Sequence, residues 1–278
     1  MKFVFIADFF ANQVPGGGEI NNEELISLLI KDNITVERIN SNLVTPKFIG
    51  DNKQAKFIIA NFSLLSDDSI RSLYDKEYII YEHDHKYVEG RNPGIYKDFI
   101  VPQDKLVNIT FYEKAKAVLC QTDFHLEIVK KNTDLNNLIS LGGNLWSDDI
   151  LEHMRDISLL PKRNTYAVMS SRIEHKNTAD AITYCQIKNI PHVLVANPNY
   201  KQFLSDLGIN IGLVFFPKTP ETLSRIVAEA RMMGLSIKTN NLVGATKENW
   251  FGMKGSELID FMKNKKLDIK NIVLDSLL

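Results

Sequence analysis

The run Gly212-Leu213-Val214-Phe215-Phe216-Pro217-Lys218-Thr219-Pro220-Glu221-Thr222-Leu223-Ser224-Arg225-Ile226-Val227-Ala228-Glu229-Ala230-Arg231-Met232-Met233-Gly234-Leu235-Ser236-Ile237-Lys238 changes its hydrophobic period twice. Gly212–Phe216 is a short apolar run and reads as a strand. From Pro220 to Met233 the residues Leu223, Ile226, Val227, Ala230 and Met233 fall on one helical stripe, with charges on the other faces. Proline opens that helix, Gly234 stops it, and Ser236–Lys238 reads as the next strand. Strand, helix, strand is the repeating unit of a parallel sheet, because parallel neighbours need a crossover connection.

The same alternation runs along the rest of the 278 residues. Further strands are expected at Phe3–Ala7, Ile34–Ile39, Phe57–Asn61, Tyr78–Tyr81, Ala117–Cys120, Leu138–Leu141, Tyr166–Met169 and His192–Ala196. Helices are expected at Asn21–Ile30, Asp67–Tyr74, Asp123–Lys131 and Asn177–Lys188. Between Ser147 and Arg163 a group of acids and the Leu160-Pro161-Lys162-Arg163 run interrupt this rhythm, which marks a domain boundary. The expected architecture is α/β: two doubly wound, Rossmann-like domains, 1–150 and 151–278, facing a cleft, with ligands beyond the carboxyl ends of the strands.

A formal net charge of −1 argues neither for nor against an anionic partner. The lysine and arginine pairs at 130/131, 162/163 and 263–266 are either a basic face or solvated helix ends. Two distant cysteines in apolar settings, Cys120 and Cys185, fit a reducing compartment. The start MKFVFIADFF is too short in its apolar stretch for a signal peptide, and no run reaches the length of a membrane span. The expectation is a soluble, cytoplasmic protein.

Three motifs carry chemistry. Pro15-Gly16-Gly17-Gly18-Glu19 precedes a helix, and its glycines free the backbone for φ > 0 and for N–H contact with a phosphate, or form only a flexible turn. Glu221 and Glu229, separated by seven residues, would lie about two turns and roughly 12 Å apart on one helix. That separation suits two parts of one extended ligand better than acid/base work on one bond; two solvated acids are the bland alternative. Tyr81-Glu82-His83-Asp84-His85-Lys86 follows a strand, and two residues apart His83 and His85 would point to the same side. With no cysteine or third histidine close by, no metal is assigned there. Lys86, Tyr87 and Arg91 open a polar, aromatic loop suited to an acceptor.

Phe215-Phe216-Pro217 through Glu221, then Glu229-Ala230 and Gly234, resembles the E-x7-E signature of retaining GT-B glycosyltransferases, family four and its relatives. The glycine loop, Ala117–Phe124, Gly142-Gly143-Asn144 and Ser170-Ser171-Arg172 through Lys176 resemble further family segments in the expected order. The chain is short for such an enzyme and is similar in style to compact phage-type members.

The resemblance implies transfer of a hexosyl or pentosyl group from a nucleoside diphosphate sugar, uridine-type first, to a hydroxyl acceptor, with no metal or other cofactor. It assigns the donor to Gly16, Gly17, Gly18, Arg172, Lys176, Gly244, Ala245, Thr246, Glu221 and Glu229, with Arg172 and Lys176 on the diphosphate. Glu229 would take the ribose, Glu221 the transferred sugar, and His83 or His85 would position that sugar. Free nucleoside diphosphate should then lose affinity in a Glu229 variant and hardly change in a Glu221 variant. The other readings are a DNA glycosyltransferase acting on hydroxymethylated pyrimidines, in the host cytoplasm if viral, and a non-catalytic nucleotide-sugar-binding protein.

Overall fold

The computed structural model describes residues 1–277, which divide into two compact units. The first holds Met1–Leu145 and the chain from Lys266 onward; the second holds Trp146–Lys265.

In the first unit the elements run β1 (Lys2–Ala7), α1 (Gly17–Lys31), β2 (Thr35–Asn40), α2 (Pro46–Asp51), β3 (Lys56–Ile59), α3 (Asp67–Leu73), β4 (Tyr78–Tyr81), α4 (Ile109–Lys114), β5 (Val118–Cys120), α5 (Asp123–Asn132) and β6 (Leu138–Ser140). All strand pairs are parallel, in the order β2-β1-β3-β4-β5-β6. Strand alternation splits the core in two. Phe3, Phe5, Ala7, Ile58, Ile79 and Tyr81 pack on one face with Leu25, Ile26, Ile269 and Val273, whereas Val4, Ile6, Phe57, Ile59, Tyr78 and Ile80 pack on the other with Phe111, Tyr112 and Val129. The strand order reverses between β1 and β3, where open α/β sheets bind ligands.

The second unit runs α6 (Asp148–Leu159), β7 (Arg163–Met169), α7 (Thr178–Ile187), β8 (His192–Val195), α8 (Tyr200–Gly208), β9 (Asn210–Phe215), α9 (Arg225–Met232), β10 (Ser236–Thr239) and the start of α10 (Ser256–Leu277). Its four strands are parallel in the order β10-β9-β7-β8.

All ten expected strands are present, with ends shifted by at most three residues. Two helical expectations change. The acids after Ser147 do not interrupt the chain: Asp148 and Asp149 form the first turn of α6, where the helix N-terminus favours negative charge, and Ile150, Leu151, Met154 and Ile157 are its buried stripe. The helix expected from Pro220 begins only at Arg225, because Ser224 sits at φ 74°, ψ 90°, outside helical geometry. Several residues of the basic pairs have partners within their own unit. Lys162 closes the carboxyl ends of α6 and α8 by donating to the carbonyls of Ile157 (2.8 Å) and Gly208 (2.5 Å). Lys130 pairs with Glu127, Lys263 with Glu152 and Lys266 with Glu24. Among the described residues no helix is long and apolar enough to cross a membrane.

Candidate functional site

In the first unit β4 ends at Tyr81 and the chain turns, with the Asp84 N–H donating to Glu82 Oε1 at 3.0 Å. Because the strand stops there, His83 and His85 do not alternate as strand residues, and their rings go to different partners. His83 is half-buried against Tyr81 and the start of α1; a Cβ built on Gly18 would lie 3.6 Å from its ring. Its Nδ1 accepts from Gln121 Nε2 at 2.5 Å, which puts the ring proton on Nε2, where it donates to Asn22 Oδ1 at 2.6 Å. With both nitrogens engaged, the ring is positioned rather than poised for proton transfer.

His85 is buried, its Nδ1 3.1 Å from the Tyr87 hydroxyl and its ring 4.9 Å from that of His125. His125 accepts from the Gln121 N–H and donates from Nε2 to the Asp84 carbonyl, at 3.2 and 2.9 Å. Burial pushes His85 down to about 4 and His125 well below the usual histidine range.

Two residues expected at the acceptor are interior. The Lys86 ammonium reaches Glu82 Oε1 at 2.9 Å and Asp84 Oδ1 at 2.7 Å, the Tyr112 hydroxyl donates to Glu82 Oε2, and Tyr87 is fully buried. A lysine stem and a phenol ring after a buried strand follow the apolar side into the core, and this lysine is neutralised there by two carboxylates. Burial pushes Glu82 up to about 7 against the pull of Lys86. Burial would raise Asp84 as well, but the Lys86 ammonium overrides it and holds this carboxyl well below its usual range. Arg91 alone of the trio is exposed, 3.4 Å from Asp84 Oδ2 and from Ser63 Oγ.

The buried histidines give a pH prediction with a definite sign. A histidine whose folded pKa lies near 4 binds its proton in the unfolded chain from about 6.5 downward, so stability falls as pH drops through that window. The raised Glu82 acts oppositely between 4.5 and about 7, so a variant comparison is needed. His85→Phe should lose about 2 kcal/mol less than the wild type between pH 7.5 and 5, by urea unfolding, at 1.36 kcal/mol per pH unit. Equal losses would mean that His85 charges without cost in the folded state.

The glycine loop does not use positive φ. Gly16 is extended (φ −84°, ψ 162°), and Gly17 and Gly18 begin α1. A Cβ at Gly16 would meet only the flexible end of Glu19, whose carboxylate folds back over the loop. Burial raises the Glu19 carboxyl above its usual range.

In the second unit Arg172 lies exposed on the turn after β7, and Lys176 ends a short 3-10 turn, Glu174–Lys176. Lys176 Nζ pairs with Glu221 Oε1 at 2.7 Å, both partly buried. Glu221 belongs to no helix: it forms a parallel bridge with Val243, its N–H donating to the Leu242 carbonyl and its carbonyl accepting from Gly244. The phosphate contacts expected of Gly244, Ala245 and Thr246 are not available, because their N–H groups already donate to the carbonyls of Glu221, Leu223 and Val243. That loop instead anchors the segment carrying Glu221.

Glu229 lies on α9 and is buried. Its Oε1 accepts from Trp146 Nε1 at 3.0 Å and the Tyr200 hydroxyl at 2.6 Å and faces Arg225 Nε at 3.3 Å. Arg225 also donates to the Tyr200 hydroxyl at 3.1 Å and lies 4.5 Å over the Trp146 ring. The sequence held one local sign of this network, the Arg225/Glu229 spacing of i, i+4. Trp146 and Tyr200 come from distant segments and gave none, nor did Asn22 and Gln121 for the His83 contacts in the first unit.

The sequence matches no family model and no curated protein. Solved structures match over the whole chain. Anabaena HepE in complex with UDP and glucose aligns with a TM-score of 0.56 at 12% identity, covering 100% of this chain and 92% of that one. A glycosyltransferase from Rickettsia africae ESF-5 aligns at 0.50 and 12%, covering 99% and 94%. An alpha-glucosyltransferase in complex with UDP and a 13-mer DNA aligns at 0.51 and 10%, covering 99% and 90%. The two parallel-sheet units thus have the α/β fold of GT-B glycosyltransferases of known structure.

Proposed function

We propose that the chain is a glycosyltransferase that moves a sugar from a nucleoside diphosphate sugar, uridine-type first, to a hydroxyl acceptor with retention and without a metal. The observation that carries this reading is the 2.7 Å pair of Lys176 and Glu221, on segments that follow β7 and β9, with Glu229 buried on α9 of the same unit. The end-to-end likeness in fold to glycosyltransferases solved with UDP supports it.

Chemistry would rest on position and charge. Arg172 and Lys176 meet the diphosphate, whose leaving charge needs cations fixed in place. Glu229 takes ribose hydroxyls, and Glu221, once Lys176 turns to phosphate, takes hydroxyls of the transferred sugar. Of the two histidines, His83 is the one assigned to contact sugar, since His85 is enclosed. Arg91 remains the acceptor-side residue of its loop. Hydroxymethylated pyrimidines in DNA are the alternative acceptor.

The test is a panel of nucleoside diphosphate sugars, scored by thermal shift and by release of free nucleotide, with sugar alcohols and hydroxymethylated DNA as acceptors. A bound donor should raise apparent stability by RT ln(1 + [L]/Kd), and release should continue in EDTA. Binding without release would make the chain a non-catalytic binder, and activity that returns only with manganese or magnesium would overturn the metal-free reading.

A further inference from the structure

Ser224 is held against its own preference. Among the described non-glycine residues of the second unit, Asn177, Asn189 and Ser224 have positive φ. Asparagine tolerates that region, and serine does so much less readily. Ser224 sits at φ 74°, ψ 90°, a strained backbone for a residue with a Cβ. Its hydroxyl is a second unfavourable feature: Oγ is buried with no hydrogen-bond partner, so this serine stands at the N-cap of α9 without capping it. The local sequence also points the other way, since Pro220, the acid at 221 and Leu223 fit a helix that starts at Pro220.

We propose that Ser224 is a positioning residue whose kink keeps the 221–223 segment off α9 and so delivers the Glu221 carboxylate to Lys176. Tertiary contacts before the kink offset the strain. The Glu221 N–H donates to the Leu242 carbonyl at 2.8 Å, Gly244 and Ala245 donate to the carbonyls of Glu221 and Leu223 at 2.9 Å, and Leu223 is fully buried in the core. If α9 instead continued back to Pro220, those three bonds would be lost. Glu221 would then stand one turn before Arg225, away from the bridge with Val243 from which it reaches Lys176 at 2.7 Å. The tolerance of residue 224 for positive φ therefore sets how firmly Glu221 stays at Lys176. The proposal rests on the roles given above to Glu221 and Lys176, and it adds the residue that holds them together.

The experiment compares Ser224→Thr with Ser224→Gly. Threonine keeps the hydroxyl but is β-branched and resists positive φ, whereas glycine accepts it. In Ser224→Thr the amides of Glu221, Gly244 and Ala245 should exchange with solvent about tenfold faster than in wild type, by NMR, while those within β9 stay unchanged. Turnover should fall on the order of tenfold, and free nucleoside diphosphate should bind about twofold tighter, because Lys176 is released from its competitor. In a Glu221→Gln background, Ser224→Thr should change diphosphate affinity no further, the pair being already gone. Ser224→Gly should keep slow exchange at the three amides and stay within about threefold of wild type in turnover. Simple overpacking by the added methyl would instead weaken diphosphate binding, equally in both backgrounds, and that result overturns the proposal. Exchange at the three amides that is the same in wild type and both variants overturns it too. A chain that binds no nucleoside diphosphate overturns the donor reading alone, since the exchange rates still decide the kink.

Discussion

Glu221→Gln is expected to lower turnover about a hundredfold and, in the same protein, to tighten binding of free nucleoside diphosphate up to about fivefold. The first effect is loss of grip on the transferred sugar, where a small misplacement of the reacting carbon is expensive. The second comes from the 2.7 Å pair between Lys176 and Glu221. From sequence, Glu221 is expected to leave free diphosphate affinity unchanged, because that ligand carries no sugar. The ion pair alters the expectation: phosphate must compete with the carboxylate for Lys176, and a partly buried pair is worth on the order of 1 kcal/mol. Removing the competitor gives that energy back to the phosphate. Salt should narrow the difference, since screening weakens the pair in the wild type. Steady-state kinetics with titration of the free diphosphate checks both halves. Unchanged turnover would remove Glu221 from the site, and weaker diphosphate binding would mean the pair helps to shape it.

Lys86→Met should cost about 3–5 kcal/mol in urea unfolding of the full chain, the largest single-residue loss we expect. Lys86 and Glu82 are both buried, and the methionine would leave Glu82 with the Asp84 N–H and the Tyr112 hydroxyl but no cation. Adding Glu82→Gln should restore part of the loss, because the stranded charge is then gone; the two changes must be non-additive. The pH dependence separates this from simple cavity formation. With Lys86 gone, Glu82 loses the charge that restrains its upward shift, so Lys86→Met should be less impaired at pH 5 than at pH 8. A loss below about 1 kcal/mol that does not vary with pH would mean water reaches Glu82 and the pair is not an interior one.

The alternation of short apolar runs with helical stripes was enough to find ten strands and the doubly wound class. Buried parallel strands have two apolar faces, as Phe3–Ala7 shows by feeding both cores, and few other local patterns look like that. Helix starts were harder. Pro220 reads as the first residue of a helix, yet the chain from Glu221 to Leu223 hydrogen-bonds to the 242–245 loop and Ser224 adopts φ 74°, so α9 begins at Arg225. α6 was missed for the opposite reason, its polar face outweighing a clear buried stripe.

For the candidate site, the sequence by itself determined which residue types stand after which strand: His83 after β4, Lys176 after β7, Glu221 and Glu229 after β9. Only tertiary structure decided which are available. It enclosed Lys86 and Tyr87, engaged the N–H groups of Gly244, Ala245 and Thr246, paired Lys176 with Glu221, and set Glu229 among Trp146, Tyr200 and Arg225. Burial and pairing depend on what other segments bring within about 3–4 Å of a polar atom, and here those segments lie up to 83 residues away, as Trp146 does from Glu229. No local pattern encodes that distance, whereas hydrophobic period is a property of neighbours along the chain and can be read from them directly.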